Sequence, residues 1–235
     1  MRILALDSSG LVATVAILED EQTVAEYTVN YKKTHSQTLL PMLDEIVKMT
    51  EFDLESIDAI AVAGGPGSFT GLRIGSATAK GLGLALGKPL IHVPTVDGMA
   101  YNLFGTNGLI CPIMDARRNQ VYTGIYRFAD EFEVVEQQMA ISVQELIDKL
   151  NVYGECVTFL GDGVPVYAEQ LLHGLSTVCR FAPAHMNRQR AAAVGTLAMK
   201  YYAEGKIETA TEHQPDYLRL SQAERERAEK NAELS

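Results

Sequence analysis

One order of predicted helices and strands occurs twice along the chain, and this repeat limits the possible folds. In the first half, three strands are followed by a helix, a strand and a helix, and the apolar start of the first strand ends at Asp7. The second half begins again with an apolar run at residues 109–114 that ends at Asp115, and the same order follows. Apolar runs bounded by turn residues indicate strands, and apolar residues at helical spacing indicate helices. The sequence therefore predicts two copies of a β-β-β-α-β-α unit in one α/β protein.

A duplicated unit of this kind is typical of the two-lobed actin/Hsp70/sugar-kinase superfold, an RNase H-like fold in which a cleft separates the lobes. Such a fold does not by itself identify a function. We predict a first lobe at residues 1–105, a second lobe at residues 106–205 and a C-terminal extension at residues 206–235. A last helix is expected at residues 187–204, packed back on the first lobe, and the charged tail from residue 221 is expected to be a solvated helix or a disordered end.

Turn residues and apolar periodicity position the individual elements. Ser142 begins a capping box, Ser-Val-Gln-Glu, which marks a helix start. Pro41 is expected to kink a helix or to lie in its first turn. The predicted helices cover residues 35–50, 70–86, 142–150 and 166–172, and the predicted strands cover residues 3–9, 13–18, 23–31, 59–63, 90–93, 109–114, 121–128, 134–141 and 157–160.

Net charge and cysteine content limit the classes of function. The net charge is −10, whereas a protein that grips nucleic acid directly usually carries a basic face, so any role in a nucleic-acid pathway is expected to be indirect. Three separated cysteines, Cys111, Cys156 and Cys179, form no zinc or disulfide pattern and predict reduced thiols in a cytoplasmic protein. No apolar run approaches the roughly 20 residues that span a bilayer, so no membrane association is expected.

A glycine-rich turn and the helix after it form the most unusual segment. The turn, residues 64–67, can offer backbone N–H groups to a phosphate, although it lacks the lysine of a P-loop and the spacing of a dinucleotide site. In a helix interior, glycine costs about 1 kcal/mol relative to alanine, so close backbone packing must compensate, either against the chain's own sheet or against a partner's helix. The small residues recur at every fourth position, at Gly71, Gly75, Ala79, Gly83 and Gly87.

Two aspartates and a histidine are further candidates for a functional role. Asp7 and Asp115 would face the cleft in this superfold, where carboxylates hold Mg²⁺ through water beside phosphates; alternatively, each caps a tight turn. His35 precedes the first helix and is expected to form a structural hydrogen bond. The other histidines show no metal-ligand spacing, so no metal site is predicted. They are His92, His173, His185 and His213.

Three motifs are long enough to compare with known families. They are Ile-Leu-Ala-Leu-Asp-Ser-Ser at residues 3–9, Thr-His-Ser at residues 34–36 with Leu40-Pro41, and Gly-Pro-Gly-Ser-Phe-Thr-Gly-Leu-Arg-Ile-Gly at residues 65–75. The third string is highly specific. With the order of elements, which extends the match over residues 1–200, the chain resembles the TsaB family, also called YeaZ.

The resemblance implies a non-catalytic scaffold or activator that is required for threonylcarbamoyl transfer to N6 of adenosine-37 in tRNA. It further implies a heterodimer with the catalytic paralogue TsaD, support for docking of the ATPase TsaE, a homodimer when the chain is alone, and contact with tRNA only through other subunits. The partner surface would lie on the helices of the first lobe. Its expected residues are His35, Leu39, Leu43, Gly71, Leu72, Arg73, Gly75, Ser76 and Ala79.

One departure from the catalytic relative argues against independent catalysis. TsaD carries an Asn-His-Leu-Glu-Gly-His stretch whose two histidines bind metal, where this chain has Pro-Thr-Val-Asp-Gly-Met at residues 94–99. Thr95 and Met99 stand at the ligand positions, and neither replaces imidazole on a catalytic metal. No cofactor is expected for the isolated chain, although ATP or ADP at the subunit junction stays open. The candidates near such a nucleotide are Asp7, Asp115, Arg117, Arg118, Gly161 and Gly163.

Two other classes of function remain for comparison. A stand-alone actin-like ATPase or small-molecule kinase would bind ATP-Mg²⁺ by itself and would lose that binding on Asp7→Asn. A protease has been suggested for the wider family, but neither a metal site nor a nucleophile set is recognisable here. The paired arginines Arg117 and Arg118 either reach a phosphate or are solvated charge at a hairpin tip.

Overall fold

The computed structural model describes residues 1–31 and 34–219, and every structural statement below concerns these residues. The tail from residue 221, for which a helix or a disordered end is predicted, lies outside them. The first lobe contains β1 (Arg2–Asp7), β2 (Val12–Glu19), β3 (Gln22–Asn30), α1 (His35–Thr50), β4 (Ala59–Gly65), α2 (Phe69–Leu86) and β5 (Leu90–Pro94). The rest of the chain contains α3 (Thr95–Tyr101), β6 (Leu109–Asp115), β7 (Gln120–Phe128), β8 (Phe132–Ser142), α4 (Val143–Tyr153), β9 (Val157–Leu160), α5 (Val164–Gly174), β10 (Cys179–Phe181) and α6 (Ala191–Ala203).

Two mixed sheets of five strands repeat one topology. The first has the order β3-β2-β1-β4-β5, and the second has the order β8-β7-β6-β9-β10. In each sheet, the first strand of the unit pairs antiparallel with the second strand and parallel with the strand that follows the helix. The predicted duplicated α/β fold is therefore confirmed.

Helices cover both faces of each sheet, which explains why the central strands are apolar on both sides. The first sheet is packed by α1 and α2 on one face and by α6 on the other, and the second sheet is packed by α4 and α5 on one face and by α3 on the other. The contact with α6 is close, because Val194 and Leu197 are buried against Ile3 and Ala5 of β1. The last helix thus lies on the first sheet, whereas the lobe boundaries themselves remain a prediction.

Most element boundaries agree with the sequence expectations, and three features differ. Helix α1 covers the predicted residues with Pro41 inside it, beyond its first turn, and the capping box at Ser142 is present. Helix α6 begins at Ala191, four residues later than predicted. The short elements α3 and β10 were not predicted: α3 has only 7 residues and contains Gly98, and β10 has only 3 residues. Elements this short carry too few periodic positions to be recognised from sequence.

The segment after α6 turns back across the first lobe. Glu208 and Leu90 exchange two backbone hydrogen bonds, of 2.8 and 2.9 Å, which add an isolated antiparallel bridge to the edge of the first sheet. Further along, Asp216 N donates to Gly64 O at 2.7 Å. Residues 206–219, called the returning segment below, are therefore part of the folded structure rather than a free extension.

Candidate functional site

A cleft between the two sheets contains a cavity of about 650 Å³. The first lobe contributes residues 9–11, 34–35, 67–71 and 74, which are the turn after β1, the start of α1 and the start of α2. The second lobe contributes residues 114–117, 122 and 162. Arg219 of the returning segment completes the lining. A cleft of this size at the facing ends of two sheets is a typical position for a small-molecule site.

The first-lobe wall is built by close packing between the β1 turn and the start of α2. Ser68 caps α2 by accepting from Gly71 N at 3.3 Å, and its own N–H donates to Ser9 O at 2.6 Å. Ser8 Oγ donates to Gly71 O at 2.9 Å. A Cβ at Gly71 would overlap the carbonyl oxygen of Ser8, so only glycine fits there. The N-terminal end of α2 consequently faces the cleft, where its free N–H groups favour an anion.

Asp7 does not line the cavity and instead caps the turn after β1. Its side chain is buried, and Oδ1 accepts from Ser9 N at 2.8 Å and from Ser9 Oγ at 2.6 Å. Burial raises the pKa of Asp7 to about 6, and the two Ser9 hydrogen bonds oppose that rise. Of the two alternatives for this residue, the turn cap is observed; Asp7 is 1% exposed and does not line the cavity, and its place near a nucleotide stays a prediction.

The second-lobe wall carries Asp115, which does line the cavity. Asp115 Oδ1 accepts from Arg117 N at 2.8 Å and from Tyr167 OH at 2.9 Å, and its own N–H donates to Asp162 Oδ1 at 3.1 Å. Burial and the nearby Asp115 carboxylate raise the pKa of Tyr167 to about 12, and burial raises the pKa of Asp162. Asp115 therefore both caps the hairpin turn and presents a carboxylate to the cleft.

The predicted nucleotide-proximal residues of the second lobe divide into two groups. Arg117 lines the cavity, whereas Arg118 is exposed at the tip of the same turn and does not. Gly161 and Gly163 also lie outside the lining, because they pack directly on Ile113 O of β6. A Cβ at Gly161 would overlap that oxygen, and the residue has φ +111°. These glycines thus bring the turn that carries Asp162 close to β6 rather than forming the cavity wall themselves.

His35 lies at the junction of the cleft and α1. One ring nitrogen, Nε2, makes a 2.8 Å hydrogen bond with Gly10 O, and the other, Nδ1, is buried without a hydrogen-bond partner. The expected structural hydrogen bond near the helix start is therefore present. The ring also lines the cavity, so it can contact a bound molecule there.

The returning segment contributes residues that sequence reasoning missed. The ring of Tyr217 stacks on Phe69 at the start of α2 with centroids 4.1 Å apart, and the guanidinium of Arg73 lies 4.6 Å from the centroid of the Phe69 ring. Arg219 donates to Ala116 O across the cleft. No local pattern marks these residues, because their role depends on where the chain returns. With Arg117 and Arg219 beside the start of α2, the cleft can hold a phosphate group.

The sequence is similar to known proteins over most of its length. A family model described as TsaD, tRNA N6-adenosine threonylcarbamoyltransferase, matches residues 22–227. The chain is 33% identical over 227 residues to the tRNA threonylcarbamoyladenosine biosynthesis protein TsaB of Bacillus subtilis, with 95% of this chain and 96% of that protein covered. It is 31% identical over 225 residues to TsaB of Escherichia coli, with 93% and 95% covered. The chain belongs to the TsaB family.

Solved structures of TsaB relatives agree with this assignment. YeaZ from Pseudomonas aeruginosa superposes with a TM-score of 0.80 at 25% identity, covering 92% of this chain and 99% of that one. A second Pseudomonas aeruginosa structure, described as similar to peptidase YeaZ, gives a TM-score of 0.78 at 25% identity, with 93% and 99% covered. The resemblance stated from the motifs is confirmed, and the chain belongs to a family of tRNA threonylcarbamoyladenosine biosynthesis proteins. Among the described residues, no helix combines the length and apolarity needed to cross a membrane.

The residues expected to form the TsaB partner surface are mostly buried inside the chain. Arg73 is exposed and His35 is half-buried. A Cβ at Gly75 would lie 2.7 Å from Ser8 Oγ, so the inner glycine stripe faces the chain's own sheet. Of the two alternatives for this stripe, the internal contact is the one observed, and a partner would have to contact other faces of α1 and α2. The buried members are Leu39, Leu43, Gly71, Leu72, Gly75, Ser76 and Ala79.

The two positions that the resemblance pairs with the metal-binding histidines of TsaD are part of the core. Thr95 is fully buried and its Oγ1 accepts from Gly65 N at 3.2 Å. Met99 is 1% exposed and packs with Val96 and Leu160. Both side chains therefore stabilise the joint between β5, α3 and the second sheet.

The fold brings two of the histidines together. His92 and His213 show no ligand spacing in the sequence, yet the fold places their ring centroids 5.7 Å apart, with Glu208 beside them. The cause is the returning segment, which pairs Glu208 with β5 and so brings residues from two distant parts of the chain together.

Proposed function

We propose that the chain is a non-catalytic subunit that heterodimerises with TsaD and supports TsaE docking, and that threonylcarbamoyl transfer to N6 of adenosine-37 in tRNA requires it. The proposal starts from membership of the TsaB family, and one structural observation carries it further. Beyond Arg73, the outer face of α2 is exposed, small and uncharged in a protein whose net charge is −10. Because its partners act on tRNA, the chain is proposed to work in the cytoplasm and to contact tRNA only through them.

The outer face of α2 has a second stripe of small residues, opposite the buried one. Ala77, Gly81 and Ala85 are exposed at every fourth position, and Leu84 beside them is 71% exposed. Lys80 does not place its charge there, because its Nζ donates to His213 O at 2.8 Å. Small residues on an exposed helix face allow another helix to approach closely, and a neighbouring exposed leucine supplies apolar area to bury.

Helix α1 extends this surface. Leu40 is 51% exposed and Met49 is 76% exposed, and Pro41 is exposed between them in sequence. Helices α1 and α2 contact each other on the same face of the first sheet. The proposed partner surface is therefore made by the outer faces of both helices. The same surface is proposed to form the homodimer when TsaD is absent.

The cleft supports a nucleotide at the subunit junction better than it supports independent catalysis. Arg117, Arg219 and the start of α2 favour a phosphate, while Asp115 supplies a carboxylate. The alternative, a stand-alone ATPase or small-molecule kinase, would use Asp7 for Mg²⁺, but that carboxylate is buried and caps a turn. The burial of Thr95 and Met99 likewise supports a subunit that leaves metal-dependent transfer to TsaD.

Reconstituted threonylcarbamoylation tests the role. tRNA modification is measured with this chain, TsaD and TsaE together, with this chain omitted, and with this chain alone and all substrates. We expect modification only in the complete mixture. Equal modification without this chain would refute the accessory role, and modification or tight ATP-Mg²⁺ binding by the chain alone would favour the stand-alone enzyme.

Variants of the outer face test the position of the partner surface. Gly81→Leu adds a side chain where no atom lies within 4 Å of the added Cβ, so the fold should persist while close helix approach is blocked. Leu84→Asp places a charge at the centre of the surface. We expect at least tenfold weaker TsaD binding by calorimetry, about 1.4 kcal/mol or more, for both variants.

The matched control is Val152→Asp, because Val152 is 86% exposed on α4, which packs on the second sheet and lies outside the proposed partner surface. We expect wild-type TsaD binding for this variant and unchanged circular dichroism for all three. Wild-type binding by folded Gly81→Leu and Leu84→Asp would refute the placement. Substitutions at Leu39 or Gly75 are unsuitable because both residues are buried.

A further inference from the structure

The returning segment meets β5 at a cluster of metal-ligating side chains. His92 lies on β5, and Glu208 and His213 lie on the segment that the bridge between Leu90 and Glu208 aligns with that strand. One ligand atom of each of His92, Glu208 and His213 lies within 4.8 Å of the other two. The paired strands therefore hold two imidazoles and a carboxylate around one point.

Two ring nitrogens in this cluster lack hydrogen-bond partners. His213 is fully buried, its Nδ1 lies 2.6 Å from Glu208 Oε1, and its Nε2 is unsatisfied. His92 Nε2 makes no aligned hydrogen bond either, and the polar atom beside it is Asp216 Oδ2 at 3.2 Å. Leaving a buried polar group unpaired is costly, so two such groups in one cluster indicate a missing partner. An imidazole nitrogen with a free lone pair is the ligand that a metal ion takes.

The backbone around His92 is shaped to admit the ring. A Cβ at Gly64 would overlap the His92 ring, so glycine is needed beneath it. Asp216 is held in place by its N–H bond to Gly64 O and by a 3.0 Å hydrogen bond from Gln138 Nε2 to its carboxylate. Its side chain is 47% exposed, which leaves a route from solvent into the cluster.

We propose that His92, Glu208 and His213 bind one zinc-like divalent ion, with Asp216 Oδ2 lying 3.2 Å from His92 Nε2 at the edge of the cluster. Two imidazoles with carboxylate oxygens suit Zn²⁺ and, among metals used as probes, Co²⁺; hard cations such as Mg²⁺ prefer oxygen-only sites. The ion joins the returning segment to β5. It thereby holds in place the segment that stacks Tyr217 on Phe69 and brings Arg219 to the cleft.

Metal binding by the full-length chain tests the proposal. The protein is treated with a chelator, dialysed against micromolar Zn²⁺ and analysed for bound metal, and Co²⁺ binding is followed by visible absorption. We expect one ion per chain and the intense visible bands of four-coordinate Co²⁺. His92→Gln and Glu208→Gln should each weaken Zn²⁺ binding at least tenfold in a competition titration.

The matched control is His173→Gln, because His173 is exposed on α5 and outside the cluster. It should bind Zn²⁺ as tightly as the wild type. Absence of bound Zn²⁺ and of the Co²⁺ bands in the wild type would overturn the proposal, and so would unchanged Zn²⁺ affinity in folded His92→Gln and Glu208→Gln. If a variant fails to fold, the wild-type stoichiometry and spectrum still decide the question.

Discussion

The buried carboxylate of Asp7 gives a prediction that joins stability to pH. Asp7→Asn keeps the side-chain oxygen that accepts both Ser9 hydrogen bonds, but it removes the ionisable group. The wild-type carboxylate must ionise in a fully buried position, where charge is disfavoured. We therefore expect the variant to gain stability relative to the wild type as the pH rises.

The magnitude follows from the pKa of Asp7, which burial raises from the ordinary 3.8 to about 6. Asp7 holds its proton more tightly in the folded state than in the unfolded state, so ionising it lowers the free energy of unfolding. This loss is absent well below pH 4, grows between pH 4 and 6 and is constant above pH 6. Its full size is about 3 kcal/mol, at about 1.4 kcal/mol for each pH unit between the two values. Between pH 4.5 and 7.5, the free energy of unfolding of Asp7→Asn should rise by about 2 kcal/mol relative to wild type.

Urea unfolding at the two pH values measures this difference. Far-ultraviolet circular dichroism is the suitable signal, because the chain has no tryptophan. Any cost of burying the new amide nitrogen is the same at both pH values, so the change between the two pH values is the quantity to compare rather than either value alone. The control is Asp130→Asn at an exposed aspartate, whose difference from wild type should not change. Parallel pH profiles for wild type and Asp7→Asn would refute the reasoning.

Two further predictions concern close packing and thiol reactivity. Gly71→Ala should lower the free energy of unfolding by about 2 kcal/mol or more, because the added Cβ overlaps Ser8 O. Gly81→Ala, where the added Cβ meets no other atom, should raise it by up to about 1 kcal/mol. Urea titrations that give the reverse order would contradict this prediction. Native Cys111 should resist iodoacetamide at pH 8 while Cys156 reacts, since burial raises the pKa of Cys111 to about 12; peptide mass spectrometry showing equal labelling would contradict this.

Local sequence patterns are sufficient to predict most of the helices and strands and their duplication. The helix at residues 35–50 was predicted with the observed bounds, because its apolar spacing and its flanking residues lie within one short stretch. The capping box at Ser142 is equally local, since Ser142 and Glu145 satisfy each other's backbone N–H groups. Short elements such as β10 escaped because a strand of 3 residues is stabilised by its neighbour rather than by its own pattern.

The sequence does not show whether the glycine stripe of α2 faces the chain's own sheet or a partner. A face of small residues at every fourth position allows close approach by any backbone, and the spacing is the same for a strand of the same chain and for a partner's helix. Contact between Gly71 and Ser8 decided it, because these residues meet only when α2 packs on β1. The exposed stripe at Ala77 and Gly81 became visible only once the opposite face was assigned.

The repeated α/β unit, the helix starts and the family motifs can be recognised from the amino-acid sequence alone, since each depends on residues close together in the chain. Tertiary structure alone decided which side chains share a site. Asp7 turned inward while Asp115 faced the cleft, although both end the first strand of a unit. His92 and His213 meet because the returning segment pairs with β5. Such meetings depend on the packing of whole elements, which residue spacing does not encode.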